Sequence, residues 1–434
     1  MTAIALSCAA ASAGAATYEP TRLDDPIPGA CKPSDCSLRE ALRASNDTPD
    51  HDTVVLGEGT YELELPHELA GYDSGSFDLV DGVTFRGRGP GRTIIDANGL
   101  DQVMTNWINL EPDSFRLEAL TLTGGDASVG SQNDGGAIHM AEGDDLVLSR
   151  VRLTANSAPT SGGGVAAFGD GTEVAVKRSV IAGNQAQFGG GIGSTASTLL
   201  VKQSTISQNT AVEGGGIDLR PAPSLPATTI LASTVSGNTA TNKAGGILAD
   251  GLPYGGGDPA EDPDLYIKNS TIAENKAAND AGGVMGDNLA TVAIDNSSIG
   301  FNRANNDNIG TAVGGGVYQH SDAIFSVDDS VLASNEDGAA GGDDNCSATE
   351  VFSGAGNVLN STTGCITSFT TPFNAYSASE IAQPLAANGG PTKTMKIKSF
   401  SAAVGFANEC PKRDQRGKRR PANCDSGAYE NKPK

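Results

Sequence analysis

The chain is short of rings and of positive charge. Phe, Trp and Tyr make up 5% of its 434 residues, with a single Trp and four His. Lys and Arg number 29 against 52 Asp and Glu, for a formal net charge of −23. A balance this acidic argues against nucleic acid, which requires a basic face to displace counterions, and disfavours anionic membrane surfaces. It leaves acidic polysaccharides open, because a local basic patch can outweigh the net sign. Beyond residue 16 no apolar run approaches a membrane span. Phosphate-binding Gly-x-x-x-x-Gly-Lys loops, zinc-protease helices and Gly-x-Ser-x-Gly elbows are also missing.

What is present is a repeat. Seven times between Asp134 and Asn335 the chain runs through a Gly-Gly-aliphatic step, an aliphatic-x-aliphatic pair, then Ser-x-aliphatic-x-x-Asn. The Asn positions are 156, 184, 209, 238, 275, 302 and 335, and an aliphatic residue stands three before each. Pairs such as Val174/Val176, Leu199/Val201, Leu265/Ile267 and Val292/Ile294 lie ten and eight residues before them. A period in the high twenties with apolar alternation of two predicts a solenoid of short strands. One coil cannot bury its own inward side chains, so the stacked coils form one body, and length is a poor count of domains here. The repeated Asn fits a corner ladder of side-chain amides, the preceding Ser a second corner position, and Gly-Gly corners with positive φ or close backbone approach.

The ends differ from the middle. Residues 1–16 are small and apolar and close on Ala13-Gly14-Ala15-Ala16, like the core and cleavage region of a secretory signal. The six cysteines beyond it fall in local pairs, Cys31 with Cys36, Cys346 with Cys365 and Cys410 with Cys424, which predicts three short-range disulfides in an exported protein. Residues 17–52 read as an N-terminal cap. Within it Ser37 and Glu40 form a capping box for a short helix that would cover the open end of the solenoid. Residues 53–340 are assigned to the solenoid and residues 341–434, where the period fails, to a C-terminal cap.

Cys36-Ser37-Leu38-Arg39-Glu40-Ala41 resembles the motif that names the CSLREA-domain family, and the coils resemble right-handed parallel β-helix repeats of bacterial polymorphic outer-membrane proteins. The stretch from Asn388-Gly389-Gly390-Pro391-Thr392 through Asp414-Gln415-Arg416-Gly417 to Cys424-Asp425-Ser426-Gly427-Ala428-Tyr429-Glu430 resembles a choice-of-anchor closing domain. The resemblance implies an all-β, right-handed parallel β-helix, exported to the cell surface or the medium, and leaves activity open. With only four residues after Glu430, release is expected rather than anchoring.

Aligning the coils gives candidates for chemistry. The strand after each Gly-Gly begins with an inward aliphatic residue, so the residues one and three further on are expected to face solvent. The first such row is His139, Ala166, Gly193, Asp218, Leu248, Met285 and Tyr318; the second is Ala141, Phe168, Thr195, Arg220, Asp250, Asp287 and His320. Ionisable groups concentrate in the last four coils, and coils stack about 4.8 Å apart, so Arg220, Asp250, Asp287 and His320 should form one column. Eleven residues separate Ile217 from the next apolar pair and eighteen separate Ile247 from the next, against seven to nine in most coils. Both insertions leave the same corner and could wall a cleft, with Tyr254 on the longer one. Asp250 and Asp287 are acid/base or nucleophile candidates, with His320 and Tyr318 handling protons. Asp218, Arg220 and Tyr254 are candidates for holding substrate, Arg220 through a sugar carboxylate or sulfate. This predicts a monomeric polysaccharide-active protein, lyase or glycoside hydrolase, or one that binds an acidic glycan. The alternative is a non-catalytic surface adhesin whose Arg and Asp are ordinary cross-strand pairs. His139, among bland neighbours, reads as surface filler. No cofactor is implied beyond calcium at Asp258, Glu261, Asp262 and Asp264. The basic run Lys412–Arg420 could grip acidic glycan but also suits a structural loop.

Overall fold

In the computed structural model the described residues are 14–432 except 68–73, 107–112, 131, 142, 223–224, 252–263, 310–311, 321, 339–343, 349–352, 363 and 366–377. The period-two pairs build sheet 1, eleven strands from Thr17–Tyr18 to Ile324–Asp328. The segments after each Gly-Gly build sheet 2, ten strands ending at Cys346–Ala348, and the Ser-x-aliphatic segments build sheet 3, eleven strands ending at Val358–Leu359. Every pairing within these sheets is parallel and joins equivalent positions of successive coils, such as Leu146 with Val174 and Leu153 with Ile181. The chain is therefore an all-β parallel β-helix.

Its core is a stack of aliphatic rows, with Phe77, Phe85, Phe115 and Phe325 as the largest buried rings. Phe325 fits because Gly286 in sheet 2 has no side chain: a Cβ there would lie 2.5 Å from the ring. That exchange of large for small keeps the cross-section even, as close packing requires.

Two polar ladders run through the corners. Asn156 Nδ2 donates to Asn184 Oδ1, and the pattern repeats through Asn209, Asn238, Asn275, Asn302 and Asn335 to Asn345, at 2.9–3.0 Å. Each Oδ1 from Asn184 to Asn335 also accepts the backbone N–H of the preceding Asn, so a buried side chain serves two coils at once. The Ser row does the same: Ser179, Ser204, Ser233, Ser270 and Ser297 each offer their N–H to the next Ser Oγ, and Ser330 to Asn357. Left-handed backbone precedes both ladders, and ordinary residues carry much of it, among them Gln203, Gln208, Asn269 and Glu274. The second and third glycines of each step answer to close approach instead; a Cβ on Gly191 would lie 2.7 Å from the carbonyl oxygen of Gly216.

At the N-terminal end Thr17–Tyr18 adds the first strand of sheet 1. Helix Leu38–Asn46 carries the expected capping box and buries Leu38, Ala41 and Leu42. Arg39 is buried there on Asp25 at 2.8 Å, donates to the carbonyls of Gly75 and Ser76, and lies over the Phe77 ring. Cys31–Cys36, Cys346–Cys365 and Cys410–Cys424 are disulfides.

The C-terminal region departs from expectation in two ways. Solenoid pairing runs past residue 340 through Cys346–Ala348 and Val358–Leu359. Residues 381–431 then lie along the flank of sheet 3 instead of closing its end. Ala273, Val331 and Ala333 share an apolar cluster there with Ile381, Met395, Ile397 and Tyr429. The reason is visible in side-chain size: the outward residues of the late strands are Thr234, Thr271, Ala273, Ser298 and Gly300, small enough to admit a second layer. Gln415 pins that layer, donating to Ser233 O and Thr234 Oγ1 and accepting from Thr271 Oγ1.

Asn238→Ala removes the acceptor of Asn209 N and Nδ2 and the donor to Ile206 O and Asn275 Oδ1. With several buried groups left unpaired, we expect a loss of about 3–5 kcal/mol, read as a lowered urea midpoint. The same change at exposed Gln208 should leave the midpoint nearly unmoved.

Candidate functional site

The late strands of sheet 2 are Ile217–Arg220, Ile247–Asp250, Val284–Asp287 and Val317–Gln319. Their register sets Asp250 opposite Asp287, and His320 N donates to Gly286 O at 3.0 Å, which places His320 on the next rung. Asp250, Asp287 and His320 therefore stand on successive rungs, while the side chain of Arg220 turns to Asp218 and Phe188.

The row beside it does not face solvent. Asp218, Leu248 and Met285 are at most 2% exposed, and His139 is 8% exposed. The backbone before each Gly-Gly step folds back over that row. Its turn residue is small, so Ala244 and Ala281 pack on Leu248, Met285 and Tyr318, and a Cβ on Gly214 would meet Asp218 Cβ at 2.9 Å. His139, expected as surface filler, sits instead under this cover with its ring 5.5 Å from that of Phe168, and burial pushes its imidazole down to about 4.

The folded-back segment brings its own column: Phe188, Glu213, Lys243 and Asp280 occupy equivalent positions one residue before the positive-φ turn. Alignment on the strands missed Lys243 as a member of this cluster; alignment on the residue before the turn would have exposed it. Its Nζ lies 2.9 Å from Asp287 Oδ2 and 4.0 Å from Glu213 Oε2. Asp287 Oδ1 meets His320 Nδ1 at 2.6 Å and accepts Asn288 N at 2.9 Å. Asn288 also donates from Nδ2 to Asp250 Oδ1 at 2.8 Å, so one residue ties together the carboxylates of two coils.

Arg220 donates from Nε to Asp218 Oδ1 at 3.2 Å, and its guanidinium lies 4.4 Å from the centre of the Phe188 ring. Asp218 Oδ2 is buried without a hydrogen-bond partner. Tyr318 is half-buried with its ring 5.5 Å from that of His320. Tyr254 and most of the long insertion, including Asp258, Glu261 and Asp262, lie outside the described residues. Asp264, the remaining calcium candidate, accepts Thr291 N and Oγ1. Among the described residues no three His, Cys, Asp or Glu side chains are grouped to hold a metal ion.

Burial works against ionisation of Asp287, but the His320 and Lys243 bonds outweigh it and hold the carboxyl below its ordinary value. Burial likewise opposes the charge on Lys243, while Asp287 and Glu213 more than restore it. Burial pushes Asp218 up to about 7 despite the opposing charge of Arg220. Burial, then Asp280 and Asp287, raise the Tyr318 phenol, so it keeps its proton. An ionised Asp287 can only accept, so His320 donates from Nδ1, and in the neutral imidazole Nε2 is then the lone-pair acceptor of an exposed ring. The arrangement can therefore orient a base, present two cations and offer a phenolic proton.

No protein-family model matches the chain, and no curated protein does. Among solved structures, the pectate lyase Pel9A aligns over 96% of this chain and 96% of its own, at 12% identity and a TM-score of 0.41. The catalytic domain of a GH87 α-1,3-glucanase in complex with tetrasaccharides aligns over 81% of this chain and 69% of its own, at 11% identity and a TM-score of 0.30. Likenesses at this level assign no chemistry to the chain.

Because its folded-state carboxyl is depressed, Asp287 contributes stability above its unfolded value, near 3.9, that is lost as pH falls through the folded one. The melting temperature of the parent chain should exceed that of Asp287→Asn at neutral pH, and the gap should close below about pH 4. Removing the ammonium in Lys243→Met should raise the Asp287 midpoint, followed by carboxyl carbon NMR.

Proposed function

We propose that this chain is an extracellular polysaccharide lyase that cleaves a uronate-containing glycan by β-elimination on the open face of sheet 2. The observation that carries the reading is the bond between Asp287 and His320 Nδ1, which fixes the tautomer and leaves Nε2 turned toward solvent as a base. His320 Nε2 takes the proton from the carbon next to the uronate carboxylate. The electron pair left behind forms the ring double bond as the bond to the glycosidic oxygen breaks, and the Tyr318 phenol gives its proton to the departing oxygen.

Arg220 and Lys243 flank the column and supply positive charge for the sugar carboxylate as that charge builds. Each is also held by a buried carboxylate, Asp218 or Asp287, so it is placed in advance of substrate. Elimination is favoured over hydrolysis because Asp287 is kept ionised by three donors and is unsuited to act as a glycosidase acid. Three disulfides support an oxidising, extracellular setting, as do the signal-like first residues and the CSLREA-type cap. Among the described residues no helix is long and apolar enough to cross a membrane.

Incubated with uronate polysaccharides, the purified chain should release reducing ends together with the ultraviolet absorbance of an unsaturated uronate. His320→Ala and Asp287→Asn should each lower turnover by roughly 10²–10⁴-fold while the circular dichroism spectrum is retained. Reducing ends without new absorbance would rule out elimination and return Asp250 and Asp287 to the role of glycosidase carboxylates.

A further inference from the structure

The cations of the sheet 2 column are each tied to a carboxylate. A second set, in the C-terminal layer, is not. Lys412 to Arg420 forms a tight hairpin: Arg420 N donates to Lys412 O at 3.1 Å, Arg413 bridges Arg419, and Gly417 N and Lys418 N both close on Asp414. The Cys410–Cys424 disulfide ties its base. Asp414, Gln415 and Arg416 turn inward, where Gln415 reaches the solenoid and Arg416 lies 3.6 Å from the centre of the Tyr429 ring. Lys412, Arg413, Lys418 and Arg419 are left exposed, and among the described residues none of the four is in an ion pair.

Beside the hairpin is a cavity of about 570 Å³, lined by Lys412, Arg419 and Arg420 together with Glu409 and the Cys410–Pro411 turn. Arg420 is 5% exposed. Its terminal nitrogens are spent on Asp425 O, Gly427 O, Asn269 Oδ1 and Glu430, so it holds the wall of the cavity in place. A concave site with two exposed cations outside any ion pair and one carboxylate, beside a guanidinium already neutralised by Glu430, suits an anion in a chain that is otherwise strongly acidic.

We propose that this cavity binds an anionic group, carboxylate or sulfate, of an acidic polysaccharide, with Lys412 and Arg419 as the principal contacts. The cavity, at about 570 Å³, is ample for a sugar ring and its charged substituent. Nucleic acid fits less well: the lining holds no aromatic ring for a base to stack on, and the surrounding −23 charge opposes a long phosphate track. The site lies in the C-terminal layer and does not depend on the chemistry assigned to sheet 2. It gives the chain a means of staying on an acidic matrix.

The test is calorimetric titration of the full chain with oligogalacturonate, a sulfated oligosaccharide, a neutral oligosaccharide and single-stranded DNA, over a range of salt. Binding of either anionic glycan, weakened at least tenfold in the double variant Lys412→Ala, Arg419→Ala and restored in Lys412→Arg, Arg419→Lys, is the expected result. The titrations are run in an Arg220→Met, Lys243→Met background, which removes the cations assigned to sheet 2, so that the remaining anion binding reports on this cavity alone. Equal affinity in the alanine double variant, equal affinity for the neutral sugar, or tighter binding of DNA would each overturn the proposal. Disulfide content and circular dichroism of the variants guard against a merely unfolded hairpin.

Discussion

The structure rests on one requirement: each buried corner amide must find a partner in the coil above and the coil below. A β-helix gains its core by stacking, and stacking buries a polar side chain once per turn. The Asn row meets this by pairing each amide with the same amide one coil on, and the Ser row closes a second corner in the same fashion. Because the partners are identical residues at identical corners, successive coils cannot slip in register without breaking both rows. That fixed register carries Asp250, Asp287 and His320 onto adjacent rungs. The geometry of the sheet 2 column is a consequence of hydrogen bonds at other corners of the coil.

Much of this could be read from the chain. The aliphatic rows, the two ladders, the helical cap and the cysteine pairs announce themselves because each depends on residue type at a fixed spacing. Other features left no such mark. Left-handed backbone at Gln203, Glu274 and Phe301 is imposed by the neighbouring ladder and not by the side chain that adopts it. Burial of Asp218 and His139 follows from a backbone segment folding over the strand, which alternation within the strand cannot reveal. Lys243 meets Asp287 across 44 residues and from a different part of the coil. The C-terminal layer is further still from view, since Gln415 and Ser233 are 182 residues apart.

Charge is distributed with some economy across the two faces. On sheet 2 the cations sit directly against carboxylates, so Arg220 and Lys243 are positioned by the same groups that temper them. In the C-terminal layer the inward half of a basic hairpin is neutralised by Asp414 and Glu430, while the outward half is not. The first arrangement favours fixed geometry around a reacting centre. The second favours long-range attraction within about a Debye length of 8 Å.

In an ordinary solenoid each coil touches only its neighbours, so the stack can fray one coil at a time from an end. Here Gln415 is bonded to Ser233 and Thr271, Arg420 to Asn269, Ser298 to Ala428, and Asp329 to Gly427, Asn408 and Glu409. One short stretch of chain thereby spans four consecutive coils like a splint. Loosening the last of these four coils requires the splint to lift from the three before it, so the late half of the solenoid gains a cooperativity that nearest-neighbour stacking alone does not provide. Since the splint follows in the chain the coils it binds, that cooperativity is absent from any nascent form that stops short of it.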